Sequence, residues 1–83
     1  MMVHDLKCWP EPFRDLCEGL KTHEVRVFDR DYKVGDTLRL REYDPEKNWF
    51  SGRQIEVDVT CITMPGAFGL PDNICVMSVR SRS

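Results

Sequence analysis

The sequence predicts an α+β fold, mainly β: a small closed or nearly closed β-barrel with one main helix after the first strand, in a single domain spanning residues 1–83. Three observations predict it. Apolar residues recur at every second position in several separate segments, the period of half-buried strands. One short segment near the start instead has the three-and-four spacing of an amphipathic helix. The final segment is a nearly continuous apolar run suited to closing a barrel.

Taken in order, Val3–Cys8 reads as a strand in which Leu6 and Cys8 alternate with Asp5 and Lys7. Pro10–Glu18 reads as the helix, with Phe13, Leu16, Cys17 and Leu20 on one stripe, proline in the first turn and Gly19 just past the end. The next strand runs through Phe28. Its alternation puts Thr22, Glu24, Arg26 and Phe28 on one side and His23, Val25 and Val27 on the other. The valine pair is read as the core side, leaving Glu24 and Arg26 about 7 Å apart on the opposite side, with Lys21 just before them.

The polar stretch Asp29–Asp36 is a loop with charges of alternating sign, and it ends in a turn. Thr37–Tyr43 is a strand with Leu38 and Leu40 inward, and Arg39 and Arg41 facing away from them. Asp44–Gly52 is a hairpin connection whose Trp49 and Phe50 serve either as a barrel cap or as an exposed contact patch. Arg53–Thr63 is a long strand with Ile55, Val57, Val59 and Cys61 on one face. Met64–Asn73 carries two prolines and two glycines and is read as irregular. Ile74–Arg80 is the closing strand, followed by a frayed tail at Ser81–Ser83. Phe13, Leu16, Leu38, Leu40, Val57 and Val59 are the expected core.

The one specific local pattern is Gly-x-Lys-x-x-Glu-x-Arg, here Gly19, Lys21, Glu24 and Arg26. It resembles the signature of the ASCH domain, the activating-signal-cointegrator homology family, whose members have a PUA-like β-barrel. The likeness extends to Leu6-Lys7 in the first strand, Phe13 in the helix, Gly35-Asp36 before the next strand and the hydrophobic last strand. The resemblance implies an RNA- or nucleotide-binding module with a cleft lined by the motif residues. Its expected partner is single-stranded RNA or a nucleotide.

From residue chemistry, a lysine, glutamate and arginine at one mouth suit a planar polar ligand: the carboxylate accepts from amino groups, and the cations bind carbonyls or phosphate. A mutually satisfied structural ion pair explains the same triplet about as well. Lys7, Trp9, Arg30 and Tyr32 are flanking candidates. For Trp9, packing at a barrel corner ranks ahead of stacking on a base. Lys7 is equally a solvated surface lysine.

Two alternatives stand beside binding. Some small relatives of the resembled family are amidohydrolases of acetylated cytidine. They use the signature lysine, a threonine in place of the signature glutamate, and a glutamate from a later helical insertion. Lys21 matches, position 24 is Glu, and no acidic helix is expected between Thr63 and Ile74, so no catalytic residue is assigned. The other alternative is a protein-interaction module using Trp49, Phe50 and the 64–73 loop.

Composition bounds these readings. Eighty-three residues bury about 60 to 65% of the unfolded surface. The 41% hydrophobic and 31% charged residues argue against disorder. A net charge of −2 argues against broad, non-specific grip on a duplex. No run reaches the ~20 apolar residues of a membrane span and no signal peptide is evident, so a cytoplasmic location is expected. Cys8, Cys17, Cys61 and Cys75 form no Cys-x-x-Cys pair, and His4 and His23 are read as surface or edge residues. No metal or cofactor is expected, and the thiols are read as reduced and mostly buried.

Overall fold

The computed structural model describes residues 1–82 and shows a curled five-stranded sheet, a half-barrel, with one α-helix. The elements are β1 (Val3–Cys8), α1 (Pro10–Cys17), β2 (His23–Val27), β3 (Thr37–Asp44), β4 (Trp49–Thr63) and β5 (Ile74–Ser81). The strand order is β1-β3-β4-β5-β2. β1 pairs with β3 in parallel and every other pairing is antiparallel. The predicted closing strand β5 is thus internal. The edges of the sheet are β1 and β2, which no ladder joins.

Helix α1 ends as the sequence reading requires. Gly19 has φ +76, and the Leu20 and Gly19 amides donate to the Asp15 and Leu16 carbonyls, which retires two otherwise orphaned acceptors. The chain therefore turns sharply out of the helix and into β2. α1 packs against β3 through Phe13 and Leu16, while Cys17 and Leu20, expected on the same stripe, are exposed. An eight-residue helix buries about two turns of one face, and the turn at Gly19 carries Leu20 away.

All six expected core residues are buried, joined by Leu6, Cys8, Tyr32, Cys75, Met77 and Val79. Two bulges interrupt β4, and the second redirects its faces. Three residues, Ser51, Gly52 and Arg53, lie opposite the single Glu42 between the paired positions Arg41/Gln54 and Tyr43/Phe50, and Gly52 has φ +91 there. β4 accordingly starts at Trp49, four residues earlier than expected, and the hairpin turn is short. The second bulge leaves Thr60 as an extra residue between Val59/Val79 and Cys61/Ser78. Past it the alternation is inverted: Cys61 is exposed and Ile62 packs against the core. Cys8 and Cys75 are buried and Cys17 and Cys61 exposed, so the thiols divide evenly instead of being mostly buried.

Four further expectations change. His4, read as a surface or edge residue, is buried and pairs with Asp36 at 2.8 Å. The 64–73 loop contains a 3-10 turn, Ala67–Gly69, with Phe68 at φ +53 and 97% exposed. Ser81 belongs to β5, and Arg82, assigned to the frayed tail, pairs with Asp58 and Glu56. Ser83 lies outside the described residues.

Leu38→Ala or Leu40→Ala removes a fully buried side chain, and each is expected to lower stability by about 2 to 5 kcal/mol, read as a drop in urea midpoint at unchanged m-value. In the folded protein, alkylation is expected to modify Cys17 and Cys61 rapidly. Cys8 and Cys75, whose thiols burial pushes above the ordinary range, should react only on unfolding. Mass spectrometry of partially labelled protein reads the difference.

Candidate functional site at the seam between the edge strands

Strand β2 presents the opposite face from the one expected. Glu24 is 3% exposed, whereas Val25 and Val27 are 54% and 49% exposed. The alternation is as read, but its sign is reversed. The valines sit on the outer face beside their ladder partners Val76 and Ile74 of β5. The glutamate is turned inward because two cations reach it there and replace the water it gives up.

Arg26 donates to Glu24 Oε1 from Nε at 2.9 Å and from Nη2 at 2.7 Å, and Lys21 Nζ donates to Oε2 at 2.6 Å. Lys21 Nζ also donates to the His23 carbonyl. Arg26 Nη2 crosses the seam to the Lys7 carbonyl of β1 at 3.0 Å. Both carboxylate oxygens thus accept from a cation, Oε1 twice and Oε2 once. The cations keep donors of their own: among the described residues Arg26 Nη1 has no hydrogen-bond partner, and Lys21 Nζ retains a third proton. The two side chains are about one-fifth exposed. The cluster carries a net charge of +1 and presents mainly donors.

These donors line a cavity of about 300 Å³ together with Lys7, Cys8, Trp9 and Pro12. Trp9 precedes α1 with an extended backbone and stands at the rim, 60% exposed, so it does not serve as barrel packing. A second cavity of about 400 Å³ adjoins the first, sharing Lys7 and Arg26 and adding Arg30 and Tyr32. The structure therefore brings all seven predicted residues to one seam, in two adjoining hollows.

Their roles differ from those read in sequence. Tyr32 is buried in the core, edge-on to His4 and Phe28, with Arg30 lying 5.8 Å from its ring centroid. Lys7 points to the outer face, where its Nζ lies 4.4 Å from the Tyr43 centroid, and its backbone carbonyl holds Arg26. Cys8 is a lining residue that the sequence reading missed, although its inward register with Leu6 was the available signal. Its thiol is pushed up to about 11, first by burial and then by the Glu24 charge, so it is neutral and inert at pH 7. Among the described residues no group of three His, Cys, Asp or Glu is arranged to hold a metal. No helix of the structure is long and apolar enough to cross a membrane.

At the end of the seam, beyond the second cavity, Asp36 accepts from His4 Nε2 and from the Met2 and Lys33 amides. Burial acts to raise its pKa, but those hydrogen bonds and the His4 charge outweigh it and hold the carboxyl below the ordinary range. A depressed carboxylate contributes stability that is present above its unfolded pKa of about 3.9 and lost as pH falls through the lower folded value. Asp36→Asn should therefore be less stable at pH 7 and show a shallower loss of urea midpoint below pH 4 than wild type. For Glu24→Gln an amide NH2 would face the Lys21 or Arg26 donors. A loss of about 1 to 3 kcal/mol is expected at pH 7, and an unchanged urea midpoint would show that the cluster does not hold the seam.

Comparison with known proteins bears on identity. A protein 38% identical over 61 residues is the uncharacterized 12.9 kDa protein in the GpA 3′ region of Escherichia phage P2. The matched stretch covers 74% of this chain and 54% of the phage protein, so the chain spans about half the length of that relative. The ASCH likeness rests on the motif residues Gly19, Lys21, Glu24 and Arg26. Residues 3–79 match the model of a domain of unknown function, DUF3850, and the chain belongs to that family.

Proposed function

We propose that the chain is a small cytoplasmic RNA- or nucleotide-binding module whose ligand occupies the seam cavity. One observation carries this reading: a buried carboxylate fixes two cations that still have unspent N–H donors, beside an exposed tryptophan, around a hollow of about 300 Å³. That volume is at the lower end of the range for small-ligand sites. Lys21 and Arg26 meet a phosphate or base carbonyl, and Trp9 stacks on the base. Glu24 keeps one acceptor site on Oε2, but its side chain is only 4% exposed, so its main part is in holding the cations.

The protein-interaction reading keeps one specific observation in its favour. Phe68 is held almost fully in solvent on a left-handed backbone, and Val25, Val27 and Met64 are also exposed. Retention of this face by a partner, with no ligand at the seam, would favour it.

Titration with nucleoside monophosphates and short mixed RNAs, followed by amide and indole NMR shifts, tests the proposal. Shifts at Lys21–Arg26 and at the Trp9 indole are expected, with affinity between millimolar and micromolar, about 4 to 8 kcal/mol. Trp9→Ala should weaken binding by about 1 to 3 kcal/mol without moving the urea midpoint. Lys21→Ala should weaken it for every sequence. If no resonance near the seam moves at millimolar ligand, the proposal is wrong.

A further inference from the structure

The outer face of β1, β3 and β4 carries two kinds of arginine. Arg39 is neutralised: it pairs with Asp5 at 3.3 Å and with Glu56 at 3.2 Å, and Arg82 extends the lattice to Glu56 and Asp58. Arg41, two residues further on the same face, has no carboxylate within ion-pair distance among the described residues. The same holds for Lys7, its partner in the parallel β1–β3 ladder. Both lie on aromatic rings instead. Lys7 Nζ is 4.4 Å from the Tyr43 centroid and Arg41 Cζ is 4.1 Å from the Phe50 centroid, and the two rings pack edge to face at 4.8 Å. A ring orients a cation without cancelling its charge. In a chain of net charge −2, two uncompensated cations therefore lie over a paired aromatic base.

This patch is continuous with the seam. Lys7 lines both seam cavities while its ammonium group stands on the outer face. On the other side of Trp9 the surface hollow toward the β3–β4 hairpin is bordered by Glu11, Asp44 and Glu46, which repel phosphate. The favourable path for an anionic chain leaves the seam over Lys7 toward Arg41.

We propose that Lys7, Arg41 and the Tyr43–Phe50 pair form a second subsite, so that the ligand is a single-stranded RNA several nucleotides long and not a free mononucleotide. The inference rests on the seam reading above and deepens it. One phosphate follows the seam cations, the next meets Lys7 and Arg41, and a base stacks on the outer plane of the Arg41 guanidinium.

The test compares a uridine dinucleotide with an octamer, measured by fluorescence anisotropy across a salt series on wild type, Arg41→Ala, Arg41→Glu and Lys21→Ala. Arg41 is exposed and outside the seam, and matched urea midpoints verify that the variants fold. Wild type should bind the octamer at least 10-fold tighter than the dinucleotide. Arg41→Ala should weaken the octamer about 5- to 10-fold and reduce the salt slope by about 0.7, the value for one phosphate on a single strand. Arg41→Glu should weaken it further, and both variants should bind the dinucleotide like wild type. Octamer affinity indifferent to Arg41 but lost in Lys21→Ala overturns the subsite and leaves the seam reading standing. Binding of neither ligand overturns both. Sensitivity to Arg41 without sensitivity to Lys21 overturns the continuous footprint. An octameric acidic peptide bound as tightly as the RNA overturns the choice of polymer.

Discussion

The burial of Glu24 is the constraint on which the seam depends. A half-barrel sheet leaves two edges whose backbone groups need partners, and β1 and β2 are not joined by a ladder. What spans them near Glu24 is one guanidinium. Arg26 holds the buried carboxylate with Nε and Nη2 and reaches the β1 backbone with the second proton of Nη2. Arginine suits this task better than lysine, because its rigid planar fork makes two bonds to one oxygen and a third elsewhere without reorienting. Lys21 supplies the second positive charge that makes burial of Glu24 tolerable. Pinned this way, the cations keep fixed positions in the lining of a shaped cavity instead of sweeping through solvent.

Most of the fold was legible because the segments that form it are locally consistent. The strand periods, the proline and glycine that bound α1, and the leucines of β3 all point one way, and six expected core residues are buried. The misreadings have specific causes. The valines of β2 suggested a core face because hydrophobicity was weighed one residue at a time. A buried glutamate with two cations competes with valine for the inner face, and which wins depends on what lies across the seam. The β4 bulges were invisible because the apolar pattern is intact on either side of each: the two extra residues of the first keep the faces, and the single extra residue of the second, Thr60, reverses them. The candidate site was legible as a group of residues, since spacing alone joined Lys21, Glu24 and Arg26. The roles of Lys7 and Tyr32 depended on contacts with Tyr43 and His4, between 28 and 36 residues away in the chain, that no local pattern carries.

The seam is also fastened on the side of the second cavity, by different chemistry. Asp36 gathers His4 from β1, the Met2 amide before it, and the Lys33 amide from the loop that carries Arg30 and Tyr32. A single carboxylate thereby ties the start of the chain to the segment that follows β2. Tyr32 lies between the two fasteners, buried against His4 and forming one wall of the second cavity. The loop is consequently set in place by buried groups, even though its own sequence of alternating charges reads as solvated.

Charge on this surface is arranged by cancellation as much as by placement. The domain has a small acidic excess, so local positive charge cannot come from composition. It depends on pairing: Arg30, Arg39, Arg53 and Arg82 are matched to carboxylates, whereas the carboxylate inside the cluster is outnumbered by two cations and the Lys7 and Arg41 charges rest on uncharged rings. Using aromatic rings as supports has a second effect. A carboxylate partner would hold Lys7 or Arg41 equally well but would compete with any incoming phosphate, and displacing it would require desolvating both groups. A ring imposes no such competition, because the cation keeps its face toward the ring while it accepts an anion from the solvent side. Position and availability are then compatible in the same side chain, a combination that an ion pair in water does not provide.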